Sequence, residues 1–159
     1  MTGANDLCTG AIAVAVPSTT AGTTVNSTID GGFPSPCGVG DGITTGGVWY
    51  SVLGTGTNMT ASLCNGATSY DAKLTVYCPS CAAPTCVAGI DDFCGLQPEV
   101  SWCSQLGATY LILVHGFGAA TGPFELVMSS SGGPCNPTVL CAAVTPTGAC
   151  CVAGVCSIQ

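Results

Sequence analysis

The stretch SYDAKLTVYCPSCAAPTCVAGIDDFC, residues 69–94, sets the architecture of the chain. It opens on an acidic corner at Asp71 and runs through Leu74, Val76 and Tyr77, an apolar and β-branched run of strand type. Pro79 breaks the run. Cys78, Cys81, Cys86 and Cys94 follow, interrupted by Pro84 and Gly89, with the acidic pair Asp91 and Asp92 just before the last cysteine. The pattern is a strand followed by a stapled, acidic loop, and it contains no nucleophile with a base beside it.

The flanking sequence repeats the strand signal. Residues 10–16 alternate Ala with Ile12, Val14 and Val16, as a half-buried strand does, and Pro17 ends them. Residues 23–29 form a second Thr- and Val-rich strand, and residues 30–42 a turn-rich segment containing Cys37. Residues 48–53 (VWYSVL), 58–63, 99–103, 109–116 (TYLILVHG) and 124–129 complete the set. About eight or nine short strands with Gly, Pro and Ser punctuation and no helical period predict an all-β fold, a jelly-roll-like antiparallel β-sandwich. This domain is expected over residues 1–128. Residues 129–134 (SSSGGP) have the composition of a flexible linker. Residues 135–159 are a cysteine-rich tail, too short for a core of its own and therefore either a disulfide knot or a strap docked on the sandwich.

Thirteen cysteines in 159 residues indicate disulfides and an oxidising, extracellular or cell-surface setting. They are Cys8, Cys37, Cys64, Cys78, Cys81, Cys86, Cys94, Cys103, Cys135, Cys141, Cys150, Cys151 and Cys156. The number is odd, so one thiol is spare, and its expected place is the tail. Cys8 with Cys37 and Cys86 with Cys94 are the expected pairs. Zinc is disfavoured because CPSC (78–81) has no second C-x-x-C at ribbon distance and His115 has no partner histidine.

Only 6% of residues are charged, against about 25% in an ordinary soluble domain, and the net charge is −7 with Lys73 as the one cation. Such a chain cannot neutralise phosphates, which excludes nucleic acid and anionic membrane surfaces. No apolar run approaches the roughly 20 residues of a spanning helix, so membrane insertion is not expected. Residues 1–8 carry no basic residue of a secretory signal, and the chain is expected to be a processed product or a fragment. A low-charge surface of Thr, Ser, Gly and Ala either carries glycans or packs against copies of itself.

The order of signals resembles the bacterial pre-peptidase C-terminal (PPC-like) domain family in its cysteine-rich secreted form. The matching pieces are Asn5-Asp6-x-Cys8, Val48-Trp49-Tyr50, and Cys64 followed by Tyr70-Asp71-x-x-Leu74-x-Val76-Tyr77. Later come Asp91-Asp92-x-Cys94, Gly107-x-x-Tyr110-Leu111-Ile112-x-Val114-x-Gly116 and Gly122-x-Phe124-x-Leu126, so the resemblance covers about residues 5–128. It implies a jelly-roll-like β-sandwich appended to secreted proteins as a non-catalytic module for folding, secretion, attachment or binding. Cys81, Cys103, the tail and the lack of a protease depart from that pattern.

Asp71, Asp91 and Asp92 are candidate calcium ligands, with Asn5, Asp6 and Asp41 as further contributors, because calcium takes oxygens from carboxylates and loop carbonyls. The competing reading is that Asp71 caps a turn and the pair solvates a loop. His115 reads as a strand-end histidine, since no G-x-S-x-G or H-E-x-x-H accompanies it. Trp49, Tyr50, Tyr110 and Phe124 read as core in preference to a carbohydrate platform. Asn26 and Asn58 stand in glycosylation sequons. No catalytic constellation can be written, so the expectation is a non-enzymatic structural or adhesion protein that self-assembles with identical copies into a surface layer or filament. The alternative is a calcium-supported module of a larger secreted hydrolase that binds extracellular polysaccharide or protein.

Overall fold

The computed structural model describes residues 3–141 and, beyond them, a short strand pair, Cys151–Val152 with Val155–Cys156. A 3-10 turn (Cys8–Gly10) leads into nine strands: β1 (Ile12–Ala13), β2 (Ser18–Thr23), β3 (Val48–Leu53), β4 (Thr57–Ser62), β5 (Ala72–Cys78), β6 (Thr85–Ile90), β7 (Glu99–Cys103), β8 (Thr109–Gly116) and β9 (Pro123–Pro134). They form a β-sandwich of two sheets, ordered β1-β3-β8-β5-β6 and β2-β9-β4-β7. All pairings between these strands are antiparallel except β1 with β3.

Alternation along the strands builds the core between the sheets. Tyr50, Val52, Leu74, Val76, Tyr110, Ile112 and Val114 meet Met59, Ala61, Leu63, Trp102, Phe124, Leu126 and Met128. Each fully buried side chain of this kind contributes about 1.5–3 kcal/mol. The other face of the five-stranded sheet is also covered. Trp49, Tyr77, Leu111 and Leu113 form a second core with Cys8 and Cys37, and Phe33 lies over it, 4.3 Å from Trp49 and 5.2 Å from Tyr77 between ring centroids. The long segment between β2 and β3 is therefore a lid on that sheet. For this reason β5 is buried along its whole length, on both faces.

Several expectations differ from the fold. Only Ile12 and Ala13 of residues 10–16 are strand, although Val14 and Val16 still pack against the core. The chain crosses from one sheet to the other at Pro17, and the next strand is Ser18–Thr23, not residues 23–29. Residues 85–90, expected as loop, form β6. Pro84 sits outside the first strand position, where its missing N–H costs nothing. At Gly89 a Cβ would collide with the Cys37 carbonyl oxygen, and Gly38 (φ +73°) faces Gly89 in the same way, so the glycines mark two backbones in contact. The expected linker, 129–134, continues β9: Ser129, Ser130 and Ser131 pair with Thr60, Met59 and Asn58. Serine and glycine there report an exposed sheet face, which composition alone does not separate from a linker.

The disulfides also pair differently from expectation. Cys37 bonds Cys86 because the lid lies across β6, and Cys8, in the 3-10 turn before β1, bonds Cys81 in the β5–β6 turn, both bridges packing on the second core. Cys94 bonds Cys64, since Leu63 donates its N–H to the Pro98 carbonyl and brings the end of β4 beside the loop. Cys78–Cys141 and Cys103–Cys135 strap residues 135–141 to the sandwich. The side chains of Cys150, Cys151 and Cys156, and with them the expected place of the spare thiol, lie outside the described residues.

Candidate metal centre

Asp71 immediately precedes β5, and Asp91 and Asp92 immediately follow β6. These strands are antiparallel neighbours with Leu74 opposite Ile90. The entry of one strand therefore lies beside the exit of the other, and the three carboxylates meet at one corner. One ligand oxygen from each lies within 4.8 Å of the other two. Oxygens about 2.3–2.6 Å from a calcium ion stand at most about 5 Å apart, so the spacing fits one such ion.

The loop bearing the pair is pinned from several sides. Phe93 and Cys94 donate their N–H groups to the Gln97 carbonyl (3.2 and 3.1 Å), Ala72 donates to Leu96 (3.0 Å), and the Cys64–Cys94 bridge closes the base. Asp71 and Asp91 are half-buried and Asp92 is exposed. Burial, then the charge of Asp92, pushes the carboxyls of Asp71 and Asp91 above their usual range. The Oδ1 atoms of both are buried with no hydrogen-bond partner among the described residues. Buried acceptors without donors are costly, and a bound cation removes both the deficit and the repulsion.

Lys73 does not supply that cation. Its ammonium, fully buried, donates to Asp41 Oδ1 (2.6 Å), the Gly42 carbonyl (2.7 Å) and Thr44 Oγ1 (3.2 Å), and lies 5.6 Å from the centre of the Phe117 ring. The hydrogen bond from Lys73 holds the Asp41 carboxyl below its usual range. Sequence reasoning missed this latch. Its one signal was a single lysine in strand register, in a chain with no other cation.

The other candidates are employed elsewhere. Asp6 accepts the Thr28 N–H (2.6 Å) and hydroxyl (2.7 Å), and Asn5 Nδ2 donates to the Trp49 carbonyl (3.1 Å), so both fasten the N-terminal segment and neither joins the acidic corner. Asp41 is held by Lys73. Trp49, Tyr50, Tyr110 and Phe124 are all buried. His115 is buried with Nε2 3.0 Å from Thr75 Oγ1, and burial pushes its pKa down to about 3, so the ring is neutral at physiological pH. Asn26 is exposed in a turn at φ 65°, and Asn58 is exposed on β4.

No protein-family model and no curated protein matches the chain. In structure it is similar to the pre-peptidase C-terminal domain of a collagenase from Bacillus anthracis, with a TM-score of 0.48 and 12% identity, over 75% of this chain and 94% of that one.

Proposed function

We propose that the chain is a non-catalytic extracellular β-sandwich acting as a calcium-supported binding module. The observation that carries this reading is the convergence of Asp71, Asp91 and Asp92, with two buried oxygens lacking donors. The five disulfides support an oxidising setting. A ligand that binds only the native state stabilises it by about 2.7 kcal/mol at a hundredfold excess over Kd, which raises the Tm of a domain this size by roughly 5–10 °C. Calcium should produce that rise at neutral pH and chelator should remove it, whereas Asp91→Ala with Asp92→Ala should melt at one temperature in both. The pH sign follows from the raised carboxyls of Asp71 and Asp91. Without metal they favour the fold when protonated, and that contribution is lost as pH rises through their raised pKa. Calcium should therefore matter above the carboxylate range and not below it. Identical melts with calcium and chelator at neutral pH would refute the site.

The open edge at β1 favours a second property, association with identical copies into a layer or filament. β1 gives only two residues to the ladder. Beside it a groove of about 400 Å³ is lined by Val14, Val16, Val52 and Leu53 and by no charged residue, and Ile12 (43%) and Leu53 (64%) are exposed. Uncharged apolar edges of this kind pair with other chains. Sedimentation velocity at high concentration should show oligomers that Leu53→Lys reduces. A monomer under all conditions would end the assembly reading.

A further inference from the structure

We infer that the groove between the outer face of the four-stranded sheet, β6 and the 135–141 strap is a binding site for a neutral polysaccharide. It has a volume of about 420 Å³, within the range of small-molecule sites, about 300–1,000 Å³. It runs across the strands. Ser131 of β9 lies opposite Asn58 of β4, Asn58 lies opposite Cys103 of β7, and two residues along β4 Thr60 lies opposite Ser101. All five line the groove. Neighbouring strands stand about 4.8 Å apart and residues two apart on a strand about 6.7 Å, so the Asn58, Thr60, Ser101 and Ser131 side chains form a polar grid beside the Cys103 bridge. The Thr60 and Ser101 hydroxyls hydrogen bond each other at 2.7 Å, and Asn58, Ser101 and Ser131 are exposed. Thr138 adds a hydroxyl from the strap, while Val87 and Ala88 of β6, Trp102 and Val139 make the apolar wall.

Ligand class follows from what lines the groove. Among the described residues no carboxylate, amine or imidazole lines the groove, so neither a cation nor an anion would meet a counter-charge there. Hydroxyl and amide groups on one wall and C–H surface on the other suit a molecule with hydroxyls at its rim and apolar ring faces, which describes a pyranose chain. A peptide joining a sheet takes up the backbone groups of an edge strand and runs along it, whereas this groove crosses three strands over their side chains. The Cys103–Cys135 bridge and the packing of Val139 on the main core hold the strap in place, so little ordering accompanies binding. The site rests on the proposed role as an extracellular binding module and adds its ligand class and place. None of the three aspartates lines the groove, so binding here does not require calcium.

The test is co-sedimentation of the oxidised chain with chitin, amorphous cellulose and starch granules. Gelatin stands for a protein occupant and heparin-agarose for a charged one, with calcium and with chelator, at low and at 1 M salt. At least one neutral polysaccharide should retain the chain, insensitive to salt and to chelator, and Ser101→Trp should cut retention at least tenfold while leaving the calcium-dependent rise in Tm unchanged. If Ser101→Trp does not fold, Asn58→Ala with Ser131→Ala, both on the exposed face, takes its place and should weaken retention severalfold. Retention by gelatin or heparin alone, by no polymer, or equal retention of wild type and groove variants would overturn the proposal. Loss of the calcium response with polysaccharide binding intact would overturn the metal site and leave the groove standing.

Discussion

Full reduction is expected to unfold the domain at 25 °C. The five bridges span 73, 49, 30, 63 and 32 residues, and each closure of that size contributes about 4 kcal/mol. A folded domain is stable by about 5–15 kcal/mol, so the loss of two or three approaches the whole margin. The bridges should differ in what they protect. Cys37–Cys86 ties the lid to β6 above the second core, so Cys37→Ala with Cys86→Ala should loosen the cover over Trp49 and shift its fluorescence to the red. Cys103→Ala with Cys135→Ala releases only one end of the strap and should cost less. Circular dichroism and thermal melts with and without reductant check the first expectation, and non-reducing peptide mapping checks the pairs. A reduced protein that keeps a cooperative melt within a few degrees of the oxidised one would show that the packed cores suffice without the bridges.

Asp41→Asn should destabilise the protein by about 3–5 kcal/mol, far more than a substitution at a half-exposed position ordinarily does. The asymmetry of the pair is the reason. Lys73 is fully buried, while the side chain of Asp41 is 31% exposed. Removing the carboxylate charge leaves an ammonium sealed beneath the lid with neutral acceptors alone, the amide oxygen of the replacement, the Gly42 carbonyl and the Thr44 hydroxyl, and no counter-charge. Removing the ammonium instead, in Lys73→Met, frees a carboxylate that water can reach, at a cost of about 1–2 kcal/mol. The double variant should recover most of the loss. Because the ion pair lowers the Asp41 carboxyl, its contribution is present above the ordinary carboxylate pKa and disappears as pH falls through the lowered one. Urea denaturation of the three variants decides it, and equal costs for the two single changes would mean that the lid shifts to rehydrate Lys73.

Local pattern alone identified the all-β class and the strands 48–53, 99–103 and 109–116, because apolar and β-branched runs bounded by Gly and Pro have few other uses. It also placed Asp71, Asp91 and Asp92 on the candidate list, since acids are conspicuous in a chain with 6% charged residues. What it could not supply was proximity. Asp71 and Asp91 become neighbours only because β5 and β6 pair antiparallel, and β6 was hidden by Pro84 and Gly89, residues whose usual meaning is a loop. Gly89 serves instead as the place where the lid backbone touches a strand, a contact made by residues more than forty positions away. The same long-range packing chose the disulfide partners: sequence neighbours suggested Cys8 with Cys37 and Cys86 with Cys94, whereas the N-terminal turn and the lid, both packed over the β5–β6 hairpin, selected Cys81 for Cys8 and Cys86 for Cys37. Lys73 and Asp41, separated in sequence by β3, β4 and their loops, carry no mutual signal in sequence, and only burial makes them a pair. Period and composition report which face of a strand meets water. Register between strands, and what covers the second face, are properties of contacts between distant segments, and those exist only once the chain has folded.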